Sequence, residues 1–283
     1  MKTGIIVQAR TSSTRLPEKV LLELPYNSGI KVLSQVIRRL KKSQRADLII
    51  VATTTDEEDQ KIIDLAMQEQ VRSFRGSKAN VLERYYLAAK ENNLDHVVRI
   101  TSDCPCIDPE LIDYFISEHL KENADYTSAS LQSKYPHGLD VEVMKFSALE
   151  KAYQQAKEGF EKEHVTIFMY RSHPELFRIH TIGVPSEYTD PGIRITLDTK
   201  EDYTLLCAVF DYLYAGNQYF GLKEIFGLFK LKPWLKNINS QIIQKKVFDT
   251  IEEEAVEAVK ILKMQDLNKS AQFLEKEVVN KGI

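Results

Sequence analysis

The sequence predicts an α/β protein, a mixed, mostly parallel sheet flanked by helices on both faces. Two observations carry this. Short apolar runs alternate with helix-spaced segments through the first 122 residues, the pattern of successive βαβα units. The chain has 283 residues, 43% of them apolar and 28% charged, which suffices for a sizeable core. No internal repeat, long Gly/Ser linker or low-complexity tract interrupts the pattern.

The first strand is Gly4-Ile-Ile-Val7, short and apolar. Apolar residues at 30, 33, 36, 37 and 40 give Ile30–Leu40 a helical period. Leu48–Ala52 follows as a buried strand, Glu57–Gln68 as a helix, Val71–Phe74 as a strand and Asn80–Asn92 as a helix. His96–Ile100 is the next strand. Asp108-Pro109 reads as an N-cap followed by proline at the first helical position, opening a helix to about Glu122. Beyond Asp125 the alternation loosens. Strands are expected at Ala124–Ser128, Val141–Met144, Leu176–Ile182 and Ile193–Leu197, and helices at Phe146–Lys157, Glu161–Tyr170 and Glu201–Tyr214. The last fifty residues read as helices, with Asp249-Thr-Ile-Glu252 as a capping box. The expected division is a main domain over 1–230, with an irregular arm over 131–188, and a helical C-terminal extension over 231–283.

The net charge of −3 argues against general nucleic-acid binding. It is unevenly spread: Met1–Ala46 holds ten Lys/Arg against two Glu, a net of +8, leaving −11 for the rest. That bias suits an anionic ligand near the first loop, although Lys31–Arg45 stands equally as a solvated basic helix. Cys104, Cys106 and Cys207 lack structural-zinc spacing, and Cys104 and Cys106 read as packing residues. No run approaches the roughly 18 apolar residues of a membrane span. Charge at Lys2 and Arg10 breaks any leader-like stretch. A cytoplasmic protein without membrane insertion is the expectation.

Open α/β sheets bind ligands at the carboxyl ends of their strands. Directly after the first strand comes Gln8-Ala-Arg-Thr-Ser-Ser-Thr-Arg-Leu-Pro-Glu-Lys19, with cations at Arg10, Arg15 and Lys19 and four hydroxyl residues. Fixed charge and hydroxyl donors on such a loop suit a polyphosphate. Asp103 follows the strand His96–Ile100, and Asp198 follows Ile193–Leu197. Taken singly, each reads as a turn or cap, and Asp198 suits capping of a helix near Lys200. If both strands lie near the first, the two carboxylates share its rim and, with phosphate oxygens and water, make a ligand set for Mg²⁺.

These residues resemble the amino-terminal signature of sugar-acid cytidylyltransferases. Further segments resemble the spore-coat polysaccharide biosynthesis branch of that family: Phe74-Arg-Gly-Ser77 with Val81-Leu-Glu-Arg84, Arg99-Ile-Thr-Ser-Asp-Cys-Pro105, Pro136-His-Gly-Leu-Asp-Val-Glu142, Glu163-His-Val-Thr166 and Leu197-Asp-Thr-Lys-Glu-Asp202. The resemblance runs from about Lys2 to Trp234. It implies a GT-A-like domain that joins CTP to an acidic sugar, giving a CMP-sugar and pyrophosphate. It assigns Arg10 and Lys19 to the triphosphate and Arg15 to the loop, and Asp103 and Asp198 to magnesium. Arg10, Lys19 and Asp103 are the implied catalytic set; Ala9, Ser77, Arg84 and Ser102 line the nucleotide. Ser102 stands where that branch usually has glycine, which alters the base contact. His137, Asp140, Glu142 and Glu163 fall on the acceptor side. His137 stands equally as an acceptor contact, a proton acceptor or a plain loop residue, and Glu163 with His164 as capping residues at a helix start. The resemblance also implies a homodimer formed through residues 131–188.

Two other functions fit parts of the pattern. A glycosyltransferase consuming a nucleotide-sugar would share the fold, but no Asp-x-Asp ends a suitable strand. A non-catalytic nucleotide-binding component of an envelope pathway would have no need of Arg10, Lys19, Asp103 and Asp198 together. The choice of CTP over other triphosphates rests on the resemblance, and the residues do not specify the acceptor.

Overall fold

The computed structural model describes residues 1–129, 135–190, 192–242 and 250–280, excepting the side chains of 278–280. The chain divides into two compact units, Met1–Ile242 and Ile243–Ile283. In chain order the first unit contains β1 (Thr3–Gln8), α1 (Val32–Leu40), β2 (Leu48–Thr54), α2 (Gln60–Gln68), β3 (Arg72–Gly76), α3 (Val81–Glu91), β4 (His96–Thr101) and α4 (Pro109–Lys121). It continues with β5 (Tyr126–Ala129), β6 (Glu142–Lys145), α5 (Phe146–Gln155), α6 (Gly159–His164), β7 (Ile179–Ile182), α7 (Lys200–Leu213) and α8 (Leu222–Leu231). The second unit holds α9 (Ile251–Met264) and α10 (Asn268–Asn280), which pack on each other. There Lys263 Nζ donates to Glu275 Oε1 at 2.6 Å.

The seven strands run in the order β3-β2-β1-β4-β6-β5-β7. Only β6 is antiparallel to its neighbours; the β1–β2, β2–β3, β1–β4 and β5–β7 pairs are parallel. Register fixes the functional rim: Gln8 lies opposite both Ala52 and Thr101, so β1 and β4 end level with one another while β2 runs on to Thr54. Strands buried on both faces explain the unbroken apolar runs seen in the sequence. Ile5, Val7, Val51, Val98 and Ile100 face a core shared with α1, α2, α4, α7 and α8. Ile6, Ile50, Ala52 and Val97 face a second core built with α3 and α5.

Asp108 caps α4, accepting from Glu110 N at 2.9 Å, and also receives Leu222 N at 2.8 Å, tying α8 to α4. Several expectations shift. Ile193–Leu197 is extended but joins no ladder beyond one bridge, Arg194 with His137. Its strand-like alternation has another origin: Ile193, Ile195 and Leu197 enter the core while its backbone ties to the loop at His137 and to Asp103. The helix expected over Glu161–Tyr170 starts at Gly159 and stops at His164, because Val165 turns to φ +60°, which a helix does not admit. A separate wide turn covers Phe168–Ser172. Pro174–Leu176 forms a tight turn, so β7 begins only at Ile179. Asp249 lies outside the described residues; α9 is capped by Thr250, which accepts from Glu253 N at 3.2 Å. Residues 231–242, grouped with the C-terminal extension on sequence grounds, pack in the first unit, where Leu235 is fully buried. No helix among the described residues is long and apolar enough to cross a membrane.

Candidate active site

The loop after β1 is tied down at both ends. Ala9 N extends the sheet pairing to Ala52 O at 3.1 Å. Thr11 then gives its backbone N–H and its hydroxyl to Asp59 Oδ1, at 2.8 and 2.7 Å. The other oxygen of Asp59 accepts from the Thr53 and Thr54 hydroxyls, at 3.0 and 2.5 Å. Burial pushes this carboxyl up, but the Thr54 and Thr11 hydrogen bonds outweigh it and hold Asp59 below the usual range. Glu18 N closes the loop onto Thr11 O at 2.9 Å. Glu18 itself takes a left-handed turn, φ +53°, that starts a helical turn over Lys19–Leu21, and buried Leu16 and Val20 pin it to the core. Lys19 is thereby aimed from a fixed base.

Its ammonium lies between the two aspartates, 2.7 Å from Asp103 Oδ2 and 2.9 Å from Asp198 Oδ1. The acids are neighbours because Leu197 N and Thr196 Oγ1 both donate to Asp103 O, at 2.8 and 3.2 Å. Asp198 Oδ2 also receives Arg15 Nη2 at 3.0 Å and Arg194 Nη2 at 2.8 Å. Burial would neutralise these groups; opposite charge prevents it. Burial raises the Asp103 carboxyl, yet the Lys19 ammonium brings it below the ordinary value. Burial likewise opposes ionisation of Asp198, but Lys19, Arg15 and Arg194 hold it far below. Lys19 is lowered by burial and raised further by the two carboxylates, a net rise. Thr199, rather than Asp198, caps α7, in a capping box with Asp202.

The remaining predicted residues fall into three groups. Toward α3, Ser77 Oγ accepts from Asn80 N at 3.0 Å and Ser77 O from Arg84 Nη1 at 3.1 Å. Arg84 is buried with its Nε unpartnered; burial first, and repulsion from nearby Arg10, lower its pKa. Arg10 is exposed at the rim, while Ala9 and Ser102 are buried beside it, Ser102 N donating to Gln8 O at 3.2 Å. Beside the paired acids, the carboxylate of Asp140 accepts from His137 Nδ1 at 2.9 Å and from Gly138 N at 3.1 Å. His137 O accepts from Ile195 N at 2.8 Å, so this loop adjoins Arg194. Burial lowers the His137 pKa, but Asp140 more than restores it. The third group stands apart. Glu142 is filled by Arg99, the Tyr126 hydroxyl and the Thr166 hydroxyl, the last at 2.7 Å. Glu163 is exposed at the end of α6, and the capping box at the helix start uses Glu158 and Glu161, not Glu163 and His164.

Four residues escaped the sequence reading. Asp59 sits in an acidic run that reads as a helix face. Arg194 is the one signal that was visible, a charge inside an apolar alternation. Asp202 is fully buried and Asn239 is 3% exposed, both joined to Arg194. The described residues contain no group of three or more side chains able to hold a metal. Asp103 and Asp198 are hard oxygen donors, which fit a magnesium ion whose other ligands come from substrate oxygens and water.

A mostly parallel sheet whose rim carries a cationic loop folded onto two carboxylates suits an α/β nucleotidyltransferase, and the family match shows that class. The pattern described as Cytidylyltransferase matches residues 4–282, and the chain belongs to the cytidylyltransferase family. It is 41% identical over 248 residues to the uncharacterized protein MJ1063 of Methanocaldococcus jannaschii, covering 87% of this chain and 97% of that one. It is 35% identical over 207 residues to the spore coat polysaccharide biosynthesis protein SpsF of Bacillus subtilis, covering 72% and 85%. The solved structure of a cytidylyltransferase from Leptospira borgpetersenii superposes with a TM-score of 0.77 at 32% identity, covering 87% of this chain and all of that one.

Proposed function

We propose that this protein is a magnesium-dependent cytidylyltransferase that couples CTP to a sugar acid or related polyhydroxy acid for surface or spore-coat polysaccharide synthesis. The observation that carries this reading is the Lys19 ammonium held between Asp103 and Asp198. Likeness to the Bacillus subtilis protein supports the polysaccharide setting.

In the proposed reaction an acceptor oxygen attacks the α-phosphorus of CTP. A phosphorus–oxygen bond forms on one side while the bond to the β-phosphate breaks on the other, releasing pyrophosphate in line. Charge spreads over phosphoryl oxygens, so catalysis is mainly positioning and electrostatic stabilisation. Lys19 and Arg15, and Arg10 from the open rim, neutralise the triphosphate. Ser77, Arg84, Ala9 and Ser102 shape the nucleotide side. Asp103 and Asp198 would hold magnesium, which when bound supplies Lewis acidity to the phosphoryl oxygens. His137 donates Nδ1–H to Asp140, so the lone pair of the neutral ring lies on Nε2, the tautomer needed to take the acceptor's hydroxyl proton. Glu142, its carboxylate taken by Arg99, Tyr126 and Thr166, and Glu163, exposed at the end of α6, are given no substrate contact in this reading. A homodimer through residues 131–188 belongs to the same reading; 130–134 lie outside the described residues, and sedimentation velocity tests the pairing.

The deciding experiment follows pyrophosphate from four nucleoside triphosphates against a panel of sugar acids, with and without magnesium. Release is expected with CTP, one class of acid and magnesium, and not with Asp103→Ala or Asp198→Ala. Absence of release across the panel, or an unchanged magnesium titration in the two variants, overturns the assignment.

A further inference from the structure

Besides Lys19 and Arg15, Asp198 is held in place by a second set of residues close to it in sequence, Arg194 and Asp202. Arg194 forms a two-pronged pair with Asp202, Nε to Oδ1 at 3.0 Å and Nη2 to Oδ2 at 3.1 Å. The second N–H of Nη2 reaches Asp198 Oδ2 at 2.8 Å. Asp202 Oδ2 also accepts the backbone N–H of Asp198 and of Thr199, at 3.0 and 3.1 Å. Asp202 thus grips Asp198 twice, once through the main chain and once through Arg194.

The grip is closed from beyond α8. Asn239 Nδ2 donates to Asp202 Oδ1 at 2.8 Å and to Arg194 O at 3.0 Å, so one amide nitrogen spans both ends of the Arg194 residue. The stretch that carries it is anchored by buried Leu235 and by Lys236, whose Nζ lies 2.5 Å from Asp190 Oδ2. The chemistry at position 239 is specified by its surroundings. Both partners are acceptors, so the residue must donate twice. It must add no charge, because a cation there would draw Asp202 away from Arg194 and an anion would repel it. A primary amide satisfies all three conditions.

We propose that Asn239, acting through Asp202 and Arg194, is a positioning residue that sets the orientation of Asp198 for nucleotidyl transfer; the inference rests on the cytidylyltransferase reading above. Supporting partners of metal-binding carboxylates carry about 10–100-fold in metal affinity or activity when removed. The test compares the full chain with Asn239→Ala and Asn239→Ser. Two readouts are used: the free magnesium needed for half-maximal pyrophosphate release, and CTP-dependent Mn²⁺ binding followed by electron paramagnetic resonance. Asn239→Ala is expected to raise the magnesium requirement and weaken Mn²⁺ binding by about 10–100-fold. Asn239→Ser, which keeps one donor, recovers part of that loss, and it carries the test alone if the alanine variant does not fold. An unchanged metal requirement and unchanged Mn²⁺ binding, with only a lower thermal midpoint, reduces Asn239 to a packing residue and overturns the inference. A wild-type protein that neither binds Mn²⁺ with CTP nor releases pyrophosphate overturns the underlying reading instead.

Discussion

Lys19 and Asp198 are 179 residues apart in sequence, and their charged atoms meet at 2.9 Å. The contact is possible because β1 and β4 end at one level, and because the Leu197 N–H is fastened to Asp103 O. Two carboxylates so close would repel; the ammonium between them lets both stay ionised.

Replacing Lys19 with alanine removes that ammonium and, in the proposed reaction, a donor to the triphosphate. Turnover at saturating nucleotide is expected to fall by about 10²–10³, about 3–4 kcal/mol of transition-state stabilisation. Steady-state pyrophosphate release measures it, and near-normal turnover would remove Lys19 from the machinery.

Asp59 acts at a distance, through Thr11. Asp59→Ala strands the Thr11 N–H and loosens the base of the cationic loop. A misplaced loop is expected to lower kcat/KM for CTP by up to about 10²-fold. Burial of unsatisfied donors costs about 1–3 kcal/mol of stability besides. If kcat/KM holds steady while stability drops, Asp59 supports the fold only.

Gly138 has φ +111°, and a Cβ there would lie 2.6 Å from the Ile195 carbonyl. Gly138→Ala is expected to lose about 1–3 kcal/mol in chemical denaturation through backbone strain alone. It should also disturb the bridge between His137 and Arg194, so the acceptor KM should rise. Unaltered stability would contradict the close approach.

A pH effect arises far from the rim. His119 is fully buried, its Nε2 3.1 Å from His96 Nδ1 and its Nδ1 2.9 Å from Thr127 Oγ1. Burial, then the neighbouring His96, lowers its pKa to about 3. The folded state therefore refuses a proton that the unfolded chain accepts near pH 6.5. The associated stability is complete above that pH and is lost as pH falls toward the folded value, at about 1.4 kcal/mol per pH unit for one group. Urea unfolding between pH 7.5 and 5 should show this slope in wild type and a shallower one in His119→Gln. Parallel curves would refute it.

Much of the fold was legible because it rests on local signals. Gly4-Ile-Ile-Val7 reads as a doubly buried strand, and Asp108-Pro109 as a helix start, without knowledge of neighbours. The rim was legible for a different reason: strand ends in an α/β sheet converge, so acids and cations that follow strands can be expected together. What stayed hidden depends on partners. Ile193–Leu197 alternates like a strand, yet its alternation reflects burial against a loop. Asp59 and Asn239 look ordinary because their roles lie in hydrogen bonds to Thr11, Asp202 and Arg194, residues distant in sequence. Glu163 and Glu142 show the converse: a matching motif leaves one at an exposed helix end and the other consumed by Arg99, Tyr126 and Thr166.

The order in which these parts are synthesised has a consequence. A nascent chain that has reached β4 already holds the parallel half of the sheet and the loop with Lys19. It still lacks Asp198, and it lacks Asn239 until almost the end of the first unit. The core behind β1 and β4 likewise waits for α7 and α8, so scaffold and pocket are completed together, when little of the first unit remains to be made.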